Sequence, residues 1–204
     1  MSDTYLTLSA PGESIYTEKR SRFLAFAMHV ANEEEVKSKV AEFRKKYYDA
    51  RHVCYAYALD FDASRTRAND DGEPSGSAGR PSLGQLRSAG ATFTLVIVVR
   101  YFGGVKLGTG GLVVAYKTAA AEALQNATIE ERIITANISF SVPYADADTA
   151  MRFVKEEGAE ITARDYTATD TLLTASIRLD DEERLRQRLS KILSLHFTDA
   201  EEEP

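Results

Sequence analysis

The chain has 204 residues, 44% of them hydrophobic and 27% charged, with one cysteine and a formal net charge of -6. That length holds one large domain or two small ones, and the composition is that of a folded globular chain, which excludes wholesale disorder. The single Cys54 excludes a disulfide framework and a cysteine-rich zinc site.

The main apolar run, 93–99, is short and is interrupted by Thr94. A membrane span needs ~20 apolar residues, so none is expected. The opening MSDTYLTL lacks the basic and apolar regions of a signal peptide, which makes the cytoplasm the expected compartment. Residues 1–132 carry 17 Lys and Arg against 16 Asp and Glu, whereas 133–204 carry 8 against 15. The second part is therefore acidic and ends in an acidic tail at 199–203. A whole-chain pI near 5.2 argues against a general polyanion binder. It leaves room for a local basic groove on the first part, because local potential is what steers a ligand.

In chain order, residues 13–18 and 22–30 read as strands. Asn32 stands as an N-cap with Glu35 three residues on, and Val36, Val40, Phe43 and Tyr47 follow at helical spacing, predicting a helix over 33–48. Residues 53–59 read as a strand. The stretch 60–90 is rich in Gly, Ser, Asp and Arg and reads as a long functional loop, with a short helix near 81–88. Residues 93–101 predict a buried central strand. Five glycines in 102–111 lead into an alanine-rich helix over 112–125. A boundary falls near 128–132. Beyond it, a strand (134–142), a helix (146–157), two strands (159–166, 171–178), a helix (182–195) and a short closing strand (195–198) make a βαββα plan of the split βαβ kind.

Two stretches carry candidate chemistry. The first is DDGEPSGSAGRP, residues 70–81. Its small residues allow close approach, successive N–H groups form an anion nest, and Arg80 adds a fork for phosphate. The alternative is a surface loop whose acids and glycines only make turns. The second is RYFGGVKLGTGGL, residues 100–112, which joins a strand to a helix. Such a loop gathers N–H groups and the positive helix end at one point, with Arg100 and Lys106 adding charge. Thr109 stands where a Walker A lysine belongs, and Val113 breaks G-x-G-x-x-G, so neither standard nucleotide loop is present. Here the alternative is a tight turn with close helix packing.

Lys19-Arg20-Ser21-Arg22 is a basic cluster, and Arg65 and Arg67 read as solvated. His52 and Cys54 share one strand face and are assigned to packing. Asp70, Asp71 and Glu73 read more readily as turn-formers than as a metal set.

Together these stretches resemble the signature of the IMPACT family, and KRSRF at 19–23 and RHVCYAY at 51–57 match it too. The resemblance covers nearly the whole chain, although Ser77 stands where members usually have threonine and Val105 where isoleucine is common. It implies an α+β fold in two domains. Residues 1–131 are expected to resemble domain 2 of ribosomal protein S5 and domain IV of elongation factor G. Residues 132–204 are expected to be ferredoxin-like, similar to domain V of that factor. Eukaryotic members regulate translation through a protein partner bound by an additional domain, and that partner does not carry over.

The expected function is an RNA- or ribosome-binding accessory protein of translation. The candidate anion site is Lys19, Arg20, Arg22, Gly76, Gly79, Arg80, Arg100, Tyr101, Gly103, Gly104, Lys106, Gly108, Gly110 and Gly111, with Asp71 and Glu73 as motif acids. No catalytic residue, metal or cofactor is assigned. The rival readings are a protein-interaction regulator and an enzyme on a phosphorylated or nucleotide substrate.

Overall fold

The computed structural model describes residues 3–198, so the acidic tail at 199–203 lies outside them. The class is mixed α and β, with five helices among the described residues. The chain divides into two compact units. One is Thr4–Arg132, and the other runs from Ile133 onward and includes Asp3.

The first unit contains β1 (Thr4–Ala10), β2 (Gly12–Glu18), β3 (Ser21–His29), α1 (Glu33–Lys46), β4 (His52–Leu59), β5 (Arg65–Asn69), α2 (Gly79–Ala89), β6 (Thr94–Tyr101), α3 (Gly108–Asn126) and β7 (Thr128–Ile133). Five strands form one sheet in the order β2-β3-β6-β4-β5, with antiparallel neighbours. The expected central strand is β6, where Leu95 to Val99 are all fully buried. Strand alternation sends Val96 and Val98 to a core shared with α2 and α3. Leu95, Ile97 and Val99 pack on the other face with Val36, Val40 and Phe43 of α1. A fully buried aliphatic side chain contributes ~1.5–3 kcal/mol, so this one strand anchors both layers.

The cap expected at α1 is present, since the Asn32 side chain accepts from Glu35 N at 2.9 Å. The helix ends at Lys46, two residues early. The stretch 60–90 is not one long loop: β5 and an α2 that starts at Gly79 leave two short irregular segments, 60–64 and 70–78. Strand β5 escaped pattern reading because it is a polar sheet edge. Its Arg65 and Arg67 are solvent-exposed, as expected, and Arg65 pairs with Asp60. Strands β1 and β7, which pair with each other, were not expected either.

The second unit contains β8 (Thr135–Pro143), α4 (Tyr144–Glu156), β9 (Glu160–Tyr166), β10 (Asp170–Arg178), α5 (Glu182–Leu189) and β11 (His196–Thr198). Its antiparallel sheet has the order β11-β8-β10-β9. Both helices cover one face, closing a core that includes Ile138, Phe140, Val154, Leu173, Ile177, Leu185 and Leu189. Helix α5 stops six residues before the expected end. Two tight turns, Ile192 N to Leu189 O and Leu195 N to Ile192 O, bend the chain so that Leu195 joins the core.

Candidate functional site

The site lies in the first unit, where the ends of β4 and β6 meet the loop after β5 and the start of α3. A cavity of about 520 Å³ opens there. Arg51 and His52 come from β4 and its approach, Glu73 and Pro74 from the loop, and Arg100 from β6. Phe102, Lys106 and Gly108 come from the glycine-rich connection. The backbone of that connection is fixed by close approach. A Cβ on Gly103 would sit 2.0 Å from Arg20 C, so only glycine lets the loop lie on the turn between β2 and β3. Gly108 opens α3 with a φ of +73°. The first turn of α3 has no capping side chain and no acid, so its leading N–H groups and positive end face outward without a side-chain partner.

The cavity floor is a buried polar cluster. Glu73 Oε1 accepts from Arg100 Nη1 at 2.6 Å and from the Tyr116 hydroxyl at 2.8 Å. The Glu73 and Arg100 side chains are only 3% and 7% exposed. Arg100 Nε is buried without a hydrogen-bond partner. The guanidinium also lies over the Phe23 and Phe102 rings, at 5.5 and 5.7 Å. His52 Nδ1 lies 2.8 Å from the Asp71 carbonyl. A carbonyl only accepts, so in the neutral ring Nδ1 carries the proton and Nε2 the lone pair. Nε2 then lies 3.7 Å from Glu73 Oε2.

Burial raises the Tyr116 hydroxyl far above its ordinary range, with Cys54 and Glu73 adding to the shift, so it stays protonated and donates. Burial likewise raises the Cys54 thiol far above its usual value, against a lowering contribution from the Tyr116 bond. Cys54 Sγ sits 3.0 Å from the Asp70 carbonyl and 3.3 Å from Tyr116 Oη. It is therefore an inert packing thiol, in line with its sequence assignment. Iodoacetamide at pH 8 should leave the folded protein unlabelled and alkylate one thiol per chain in urea. Labelling of the folded protein at a rate near that of a free thiol would contradict this.

The predicted site residues do not all converge. Glu73, Arg100, Lys106 and Gly108 line the cavity. Gly104, Gly110 and Gly111 belong to the same connection and the first turn of α3 without being among its lining residues. Lys19 and Arg20 form the exposed β2–β3 turn that braces Gly103. Arg22 lies over the Tyr101 ring at 5.2 Å, and the Tyr101 hydroxyl donates to Asp49, so this pair is engaged outside the wall. Arg80 is exposed on the first turn of α2, also outside the wall.

The anion nest expected in 70–81 is already filled. The Asp70 carboxylate accepts from Gly76 N, Ala78 N and Gly79 N at 2.8–3.0 Å, so those N–H groups are not open to phosphate. Burial pulls the Asp70 carboxyl upward, but these three bonds outweigh it and hold the group below its usual value. Asp71 accepts from Val53 N at 2.7 Å and pairs with Arg44. Among the described residues no three acids, histidines or cysteines cluster as a metal set.

Sequence reading missed Arg51 and gave His52 to packing. The available signal was spacing, because His52 and Cys54 project from the same face of β4 and Cys54 enters the α2–α3 core.

This architecture defines a class: a two-unit protein of mixed α and β structure whose first unit carries a cavity lined by Arg51, Arg100 and Lys106 at a strand, glycine loop and helix junction. The Impact N-terminal domain family matches residues 19–124, and the chain belongs to the IMPACT family. It is 33% identical to the IMPACT family member YigZ of Escherichia coli, over 81% of this chain and 82% of that one. It is 36% identical to YvyE of Bacillus subtilis, over 71% of this chain and 66% of that one. A crystal structure of a hypothetical protein superposes with a TM-score of 0.73 at 31% identity, covering 100% of both chains.

Proposed function

We propose that this protein is a cytoplasmic RNA-binding accessory factor of translation that captures an unpaired nucleotide in the first-unit cavity. The observation that carries the reading is the cavity's mixed wall. Arg51, Arg100 and Lys106 stand with the uncapped start of α3, and beside them Phe102 is half-exposed. The cations and N–H groups take a phosphate, and the aromatic ring takes a base face.

Folds support the link to translation by analogy. The second unit's βαββαβ order and β11-β8-β10-β9 sheet suit the ferredoxin-like reading. We read the first unit as the S5 domain 2 type. The second unit carries the chain's net negative charge and is not the RNA-contacting half in this reading.

Fluorescence anisotropy with a single-stranded RNA oligonucleotide across a salt series tests the proposal. Lys106→Ala and Arg51→Ala should each weaken binding and reduce the salt slope by about 1. Arg80→Ala, outside the wall, should change neither. Co-sedimentation with ribosomal subunits over the same salts checks the partner. Binding unaffected by Lys106→Ala and Arg51→Ala would remove the cavity from the interface. Recovery of one protein partner from nuclease-treated lysate, with no RNA affinity, would favour the protein-regulator reading.

A further inference from the structure

The cavity makes two different demands on a ligand. One is for negative charge, set by Arg100, whose buried Nε has no partner, by Lys106 and by the start of α3. The other is for a proton donor. In its neutral form the His52 ring presents the Nε2 lone pair, because Nδ1 is committed to the Asp71 carbonyl. Glu73 Oε1 is taken by Arg100 and Tyr116, while Oε2 lies 3.7 Å from His52 Nε2. Two acceptors therefore stand side by side, and the Glu73 side chain beneath them is 97% buried. Both residues line the cavity, and a ligand that covers these acceptors shields them from water, so the one that fits brings a hydroxyl next to an anion.

In RNA that combination is the ribose 2′-hydroxyl beside its 3′-phosphate. DNA has the phosphate and lacks the hydroxyl. Resting on the RNA reading above, we propose that His52 and Glu73 form a 2′-hydroxyl subsite that selects RNA over DNA, with His52 Nε2 as an acceptor. The phosphate of the same nucleotide lies against Arg100, Lys106 and the first turn of α3. Of these, Lys106 contributes affinity without selectivity.

The test compares labelled single-stranded octauridylate with its 2′-deoxy and 2′-fluoro counterparts by anisotropy. The 2′-fluoro sugar has no hydrogen to donate. A hydrogen bond from the 2′-hydroxyl to His52 Nε2 predicts a preference for RNA of about tenfold over both analogues. His52→Asn keeps an N–H toward the Asp71 carbonyl and has no acceptor at the ring's far end, so it should bring the RNA/DNA ratio to about one. His52→Gln, which restores an oxygen there, should recover part of the preference. Lys106→Ala should weaken both ligands and leave the ratio in place.

Equal binding of all three oligonucleotides by the intact chain overturns this subsite and leaves the RNA reading standing. No binding of any oligonucleotide overturns the RNA reading instead. In that event uridine 3′-monophosphate against its 2′-deoxy form decides the subsite alone. A preference for the ribonucleotide keeps it, and equal or absent binding removes it.

Discussion

Arg100→Ala should lower the unfolding free energy by about 3–5 kcal/mol, the loss seen when one partner of a buried ion pair is removed. Most of that loss comes from the carboxylate charge that stays buried and uncompensated. Glu73 is 3% exposed in its side chain and would keep only the Tyr116 hydroxyl on Oε1. Glu73→Ala should cost a similar amount, because Arg100 Nε is already buried without a partner and Nη1 would join it. The double variant Glu73→Gln/Arg100→Met should cost clearly less than the two single losses added together. Urea unfolding followed by far-UV circular dichroism reads all of this. A domain's whole stability is ~5–15 kcal/mol, so each single variant stands near the folding threshold. A loss under about 1 kcal/mol for Arg100→Ala would mean that the pair behaves as an exposed one, with water reaching Glu73.

That pair also explains why the site was only partly legible in the sequence. Strand β6 announced itself because five consecutive apolar residues have no other place than between two layers. Helix α1 was legible because its cap is local, with Asn32 and Glu35 three residues apart. The second unit was legible because its strands alternate and its helices are amphipathic. Strand β5 was not, since an edge strand stabilised by pairing with β4 carries Arg-Thr-Arg and no apolar signal. The strand spacing of His52 does not reveal what it meets, for a different reason. Its partners are Asp71 and Glu73, about twenty residues away, and the partner of Glu73 is Arg100, 27 residues further on. Convergence of that kind is made by strand order, which no local pattern contains.

The glycine-rich segment after β5 shows the complementary error. Its composition suits a nest of N–H groups, and the nest exists. What composition does not reveal is that the chain supplies its own anion. Asp70 lies only six to nine residues from the amides it accepts from, and the first turn of α2 holds no acid of its own. The two glycine segments thus divide the work. The first ties α2 to the end of β5 and holds Glu73 in the floor, while the second leaves the start of α3 open. In the proposed function a ligand anion belongs at the second.

Asp70→Asn is the sharper test of this division, because its effect depends on pH. Three backbone donors, Gly76 N, Ala78 N and Gly79 N, point at one carboxylate, and they prefer it charged. The native carboxyl is held below its unfolded value of about 3.9. Its contribution is therefore complete above that pH and fades as the pH falls through the lower native value. At pH 7 the substitution should cost about 2–3 kcal/mol, since an amide cannot satisfy the three donors as the charged group does. At pH 3 the gap should have begun to close, and it should close further toward pH 2. Urea unfolding of both chains across this range measures it. A gap equally wide at pH 7 and pH 2 would show that the charge on Asp70 contributes nothing and that shape alone fills the nest. A gap that closes assigns the first glycine segment to an internal carboxylate, leaving the start of α3 as the place where a phosphate finds free donors.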